Sequence, residues 1–138
     1  MKFFASILLM ALVLSSCIKY EDGPAFSFLT KEKRLCRTWM LERIEHSNGY
    51  SSDQFYFKLV FEKAKGLQIE HKINSDEIIS TESNWDWHLG TYGLTLNLGS
   101  HPQGLPSGSN NFEIKRLTNK ELWIQHRGSL AIYHFKSE

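Results

Sequence analysis

Cysteine, charge imbalance and catalytic spacing are what this sequence has least of. Only two of its 138 residues are Cys, and neither belongs to a Cys-x-x-Cys pair. Its six His form no His-Glu-x-x-His motif, and they fall at irregular intervals from His46 to His134, so no metal centre is expected. His71 and His88 have the spacing to meet across a sheet, but surface or rim positions suit all six better. No Gly-x-Ser-x-Gly is present. Gly104 to Gly108 reads Gly-Leu-Pro-Ser-Gly, without the strand before and the helix after that a nucleophile elbow needs. Asp86 lies between Trp85 and Trp87, where an apolar wall would raise a carboxyl pKa. Strand alternation turns it away from both rings, and no second acid is near enough in sequence for a glycosidase pair. The chain therefore does not read as an enzyme, and it implies no catalytic residue and no cofactor.

The longest apolar run is also too short to span a bilayer as a helix. Lys2 precedes Phe3 to Leu14, where only Ser6 is polar, and Ser15, Ser16 and Cys17 follow. A short positive flank, about 10 apolar residues and a small-residue site form the layout of a secretory leader. Leu14-Ser15-Ser16-Cys17 resembles the bacterial lipoprotein box: a Leu, two small residues and the Cys. The resemblance implies a leader over 1–16, cut before Cys17, with a diacylglyceryl thioether on Cys17 and a further acyl group on its amine. Each buried methylene contributes ~0.8 kcal/mol, so two or three chains hold where one would not. The partner implied is a membrane, reached through the lipid on Cys17. Ile18, in place of the Asp that retains such proteins at the inner membrane, points to the outer membrane and leaves its face open.

Removing the leader takes away Lys2 and no acid, so 16 basic residues become 15 against 15 acidic ones. A mature chain of formal charge near zero, with no long like-charge block, is not built for nucleic acid or another polyanion. With Cys17 lipidated, Cys36 has no internal partner. It reads as a small buried hydrophobe, the alternatives being a reactive thiol or an intermolecular bridge.

Residues 17–27 read as the lipidated Cys and a tether, and 28–138 as one domain large enough for a real core, expected to be a monomer. Thr30 can cap a short helix over Lys31 to Arg37. Thereafter the pattern is strand upon strand. Phe55, Phe57, Leu59 and Phe61 share one face, and Lys65-Gly66 turns them into Leu67, Ile69, His71 and Ile73. Separate runs follow over Glu77 to Thr81 and Trp85 to Leu89. Tyr92, Leu94, Leu96 and Leu98 alternate next, and Gly, Pro, Ser and Asn fill 99–111 as one long loop. Phe112 to Leu117, Leu122 to Ile124 and Leu130 to Lys136 complete about eight strands. With no helix between them, parallel crossovers are excluded and neighbours pair antiparallel. Tight consecutive turns favour an all-β, up-and-down antiparallel barrel over a two-sheet sandwich.

A short N-terminal helix, Trp39 opening the first strand, Trp85-Asp86-Trp87 before Leu94-Thr95-Leu96, and Ile114-Lys115-Arg116-Leu117-Thr118-Asn119-Lys120-Glu121-Leu122-Trp123 resemble one family. It is that of the small lipocalin-like lipoproteins of Bacteroidetes. Lipocalins proper carry Gly-x-Trp where this chain has Arg37-Thr38-Trp39, and no later Thr-Asp-Tyr follows. The resemblance covers nearly all of the mature chain and implies a lipocalin-like barrel with no assigned activity.

Aromatics are in excess, with four Trp, five Tyr and nine Phe. Inside an eight-strand barrel they either fill the interior or line a cavity for one small ligand. For a cavity, the candidate lining is Trp39, Phe57, Phe61, Trp85 and Trp87, with loop 99–111 as a lid or contact surface. The expectation is a barrel that binds an apolar small molecule. The alternative is a filled barrel acting as a protein-interaction or inhibitor module through its open end and the 99–111 loop.

Overall fold

A computed structural model of the chain describes residues 29–53, 55–73, 77–100 and 105–138. The expected leader, Cys17 and the tether lie outside these residues. One helix, α1 (Lys31–Leu35), precedes β1 (Thr38–Glu45), β2 (Ser51–Ser52), β3 (Phe57–Phe61), β4 (Gly66–Ile73) and β5 (Glu77–His88). β6 (Gly93–Asn97), β7 (Ser109–Leu117), β8 (Glu121–His126) and β9 (Ile132–Ser137) follow. β1 pairs antiparallel with both β2 and β3, each strand from β3 onward pairs antiparallel with the next, and β9 returns to β1 through Trp39↔Ser137 and Leu41↔Phe135. β2 and β3 lie along successive parts of β1, so together they count as one interrupted strand. The result is an all-β, eight-strand up-and-down antiparallel barrel, closed by the ladder between β1 and β9.

The period of two read from β3 and β4 sets their inner faces, with Phe57, Leu59, Phe61, Leu67 and Ile69 all buried. β1 and β7 keep alternation only in part. A register shift between Leu41 and Arg43 leaves Glu42 and Arg43 both outside and turns Ile44 inward. A second shift between Ile114 and Arg116 does the same for Leu117, which is fully buried. One extra residue on one strand flips every later side chain to the other face, which is why these two faces were mixed in the sequence. Arg116 then lies outside, its Nε 2.7 Å from Glu121 Oε2 and its guanidinium over the Trp123 ring.

The helix closes one end of the barrel. The Thr30 hydroxyl accepts from the Lys33 N–H, and α1 stops two residues sooner than the sequence suggests, because Cys36 leaves helical geometry to begin β1. Leu35 is fully buried beneath the strands. Trp39 Nε1 donates to the Leu35 carbonyl at 2.8 Å, Arg34 to the Leu117 carbonyl at 2.9 Å and Arg37 to the Asn119 carbonyl at 2.8 Å. Lys31 Nζ reaches Thr91 Oγ1 at 2.7 Å. A five-residue helix has no stability of its own, and these bonds to β1 and two separate turns hold it in place. Among the described residues the opposite end carries β2 with the segments around it, together with the segments at 98–100, 105–108 and 127–131. The 98–108 loop is shorter than the one the sequence suggests, since β7 begins at Ser109. Its neck is zipped by Leu98 N–H to the Gly108 carbonyl at 2.9 Å and Gly108 N–H to the Gly99 carbonyl at 2.7 Å.

Candidate functional site

Barrel closure divides the five aromatics singled out in the sequence. Trp39, Phe61, Trp85 and Trp87 gather in the half stoppered by α1. Phe61 and Trp85 meet edge to face at 5.6 Å between centroids, as do Trp85 and Trp87 at 5.3 Å. The Trp85 indole donates to the Glu62 carbonyl at 3.0 Å, and Lys65 lies over its ring at 4.2 Å. Indole N–H groups bonded to backbone, in rings packed edge to face, fasten the turns of this end to its core. Asp86 is exposed, as alternation requires. Its carboxyl is held below the ordinary value by the Trp87 N–H, and by Lys65 at 3.3 Å. Phe57 alone of the five stands in the other half, level with His71 on β4.

The half away from α1 has a different composition. Ile44, Phe57, Leu98 and Phe112 are buried there, and half-buried Phe55 and Leu105 pack onto the same cluster from the loops. Ile79 on β5, opposite His71, is also half-buried. Two imidazoles join them. His71, 6 % exposed, follows Leu67 and Ile69 on the inner face of β4, and His126 follows Leu122 and Ile124 on that of β8. The surface reading of His71 is thus corrected: the alternation that buries Ile69 also buries His71. Nor does His71 meet His88, because it registers against Ile79 near the opposite end of β5. His88 Nε2 lies 3.2 Å from Arg127 instead.

His126 is held by a local clasp. Its Nδ1 accepts the Ser129 N–H at 3.0 Å and lies 2.9 Å from Ser129 Oγ, and its Nε2 is 3.1 Å from Asn110 Oδ1. This pattern assigns the proton to Nε2. It has the composition of a Ser-His-Asn triad without its chemistry, since the one Nδ1 lone pair is already engaged by a backbone N–H. Gly128 makes the clasp possible, because a Cβ there would fall 2.8 Å from His126 Cε1. Burial lowers the His126 pKa, which disfavours the charged ring. Phe112 lies 5.3 Å from that ring and 5.9 Å from Tyr133, whose phenol burial pushes up to about 12.

On the outer wall His134 is buried as well, 4.6 Å from the Trp123 ring and 3.2 Å from Glu45 Oε2. Its pKa is lowered by burial, then by Arg43, with Glu45 pulling the other way. Two histidines with depressed folded-state pKa values give the domain a pH dependence. Below the ordinary value of 6.5 the unfolded chain takes up protons that the folded one refuses, so stability falls on acidification. The urea midpoint should drop as pH passes below that value, and less so in a His126→Gln/His134→Gln protein. A midpoint that rises on acidification contradicts the burial of both rings.

Cys36 is half-buried against the core rather than fully buried, and burial followed by Glu32 raises its thiol pKa. That chemistry leaves it a poor nucleophile. Among the described residues no group of three His, Cys, Asp or Glu is placed to hold a metal, and no helix is long and apolar enough to cross a membrane.

A closed eight-strand antiparallel barrel with one short helix near its N-terminus is a lipocalin-like barrel. The chain is similar to a lipocalin-like protein from Bacteroides uniformis ATCC 8492, at 15 % identity and a TM-score of 0.63, over 76 % of this chain and 99 % of that one. It is also similar to an uncharacterized protein from Bacteroides eggerthii DSM 20697, at 14 % identity and a TM-score of 0.56, over 75 % and 99 % of the two chains. No protein-family model and no curated protein sequence matches it. At such identities the likeness establishes the fold alone.

Proposed function

We propose that this chain is an outer-membrane lipoprotein, held by lipid on Cys17, whose barrel binds an apolar small molecule as a monomer and catalyses nothing. The observation that carries the binding half is the lining of the open end. There, half-buried Phe55 and Leu105 pack onto the core that includes Phe57, half-buried Ile79 shares the ladder row of Phe57 and His71, and His126 lies beside Phe112. Apolar walls with a few convergent polar groups are the usual make-up of a small-molecule site. The bound molecule sits in this half, touching Phe57 of the five aromatics and leaving the other four to the core. The anchor rests on Leu14-Ser15-Ser16-Cys17 and the apolar run before it.

Fatty acids, bile acids and tetrapyrroles are the compounds to screen by thermal shift. A ligand that binds the folded state at 100 times its Kd stabilises it by ~2.7 kcal/mol. At least one class should raise Tm in the parent protein and fail to do so in Phe57→Ser. No shift from any class overturns the binding half. The intact mass of the native N-terminal peptide tests the anchor separately. A second reading, a protein-interaction or inhibitor module with a filled barrel, draws on Tyr50 and Leu130, which are 64 % and 55 % exposed in the loops of the same end. It predicts no ligand-induced shift and a partner lost on Tyr50→Asp or Leu130→Asp.

A further inference from the structure

We infer that the helix-stoppered end of the barrel docks on an anionic lipid bilayer, through Leu89 and Tyr92 at its tip and the lysines around them. The inference rests on the anchored reading for its setting, while its chemistry belongs to the barrel alone. Leu89 and Tyr92 flank the β5–β6 turn and are 53 % and 50 % exposed. Leu89 has φ +52° and Gly90 φ +70°, so Leu occupies the first left-handed position of a tight turn, where Asn is the less strained residue. A strained, outward-facing Leu beside an outward-facing Tyr adds nothing to the core. Such a pair suits an interface where Leu enters the acyl boundary and Tyr lies at headgroup level.

The surrounding charge fits the same partner. Lys31 Nζ lies 4.6 Å from the Tyr92 ring centroid and is bonded to Thr91, which sets a cation beside the apolar pair. Around them this end carries Lys33 on α1, Arg37 after it, Lys63 and Lys65 in the β3–β4 turn and Lys120 in the β7–β8 turn. The acids of this end are Glu32 and Glu62, with Glu121 paired to Arg116, Glu138 to Lys58 and Asp86 to Lys65. The described loops of the opposite end hold one acid, Asp53, and one base, Arg127, whose guanidinium reaches back to His88 beside Leu89. A molecule with formal net charge near zero is therefore polarised along its barrel, basic where α1 closes it. The chain also enters the barrel at this end, through Leu29 and α1. Residues 18–28, even fully extended, reach about 40 Å at ~3.3–3.6 Å per residue. A lipid on Cys17 keeps the basic end near the bilayer, and docking leaves the open half facing water.

The test uses the chain from residue 18 onward, which keeps the whole described barrel and its core and drops Cys17. It is co-sedimented with phosphatidylcholine vesicles, with and without phosphatidylglycerol. Binding should require phosphatidylglycerol and weaken as salt is raised. It should fall about fivefold or more in each of Lys33→Glu and Lys63→Glu. Leu89→Asp should weaken it as strongly, and all three side chains are exposed, so Tm should not fall. Leu130→Asp, at the other end, should bind like the parent. Equal binding to both vesicle types, retention by the lysine and Leu89 variants, or an equal loss in Leu130→Asp overturns the inference. None of these outcomes depends on whether Cys17 carries lipid, which the N-terminal mass decides alone.

Discussion

Trp39→Ala should lower the free energy of unfolding by about 3–5 kcal/mol, against a total of about 5–15 kcal/mol for a domain of this kind. Trp39 is fully buried at the start of β1, and its indole N–H donates to the Leu35 carbonyl at 2.8 Å. Truncation removes one of the three indoles of the stoppered half and leaves a cavity that strands β1, β3 and β9, fixed by their ladders, cannot close. It also removes one of the two donors to the Leu35 carbonyl, which keeps the Arg37 N–H at 2.7 Å, and so loosens the helix whose other bonds reach Leu117 and Asn119. Trp39→Phe separates the two effects, because it keeps most of the ring volume and loses the hydrogen bond. It should cost less than Trp39→Ala by a clear margin. Urea unfolding is the measurement, with the midpoint moving and the slope unchanged. A Trp39→Ala midpoint within error of the parent means that this end is not packed as a core.

How far the sequence announces this fold depends on how regular each strand is. Phe57, Leu59 and Phe61 followed by Leu67, Ile69 and His71 alternate without a break, and the hairpin they form is the one their spacing predicts. β5 is harder. Its residues 77–81 and 85–88 read as separate runs because Glu82 to Asn84 carry no apolar side chain, yet the ladder to β4 continues through them, Gln68 facing Glu82 and Gly66 facing Asn84. Backbone bonds hold that stretch, and backbone bonds leave no mark in a hydropathy pattern. The bulges in β1 and β7 are invisible for a related reason: a single extra residue shows only when the partner strand is known. β2, two Ser long, carries no periodic signal at all.

The candidate site divides in the same way. That aromatics face the lumen follows from alternation, but which of them share an end follows from strand direction around a closed barrel. Trp85 and Trp87 near the end of β5 thus join Trp39 at the start of β1, while Phe57 at the start of β3 stands apart. His71 was legible, since it continues the face of Leu67 and Ile69. His126 was legible only in part, because its place beside Asn110 requires the β7–β8 register. The helix as stopper rests on carbonyls of Leu117 and Asn119, more than 80 positions away along the chain, which no local pattern could name.

Gly93→Ala should be the most damaging single-methyl change at any described glycine. A Cβ built at Gly93 would lie 2.6 Å from the Phe112 carbonyl oxygen and 3.2 Å from that of His88, both backbone atoms on neighbouring strands. Neither can swing aside as a side chain would. The nearest atoms to a Cβ at Gly66, by contrast, belong to the exposed Glu62 side chain, which can turn away, whereas at Gly128 they belong to the His126 ring, which can move only by breaking its clasp. Gly93 pairs with His88 on β5 and Glu113 on β7, so relief requires β6 to move away from a neighbour and weaken a ladder that closes the barrel. Overpacking of this kind costs about 1–3 kcal/mol, occasionally more. Gly49 and Gly90 have open space around a Cβ but positive φ values of 82° and 70°, where the strain of an L-residue is roughly 1–2 kcal/mol. The expected order of Tm loss is therefore Gly93→Ala first, Gly49→Ala and Gly90→Ala next, and Gly66→Ala least. Because Phe112 faces the open half, Gly93→Ala should also disturb that lining, and amide shifts in β7 should report it. If Gly93→Ala melts with the parent, β6 and β7 do not approach as closely as that carbonyl contact requires.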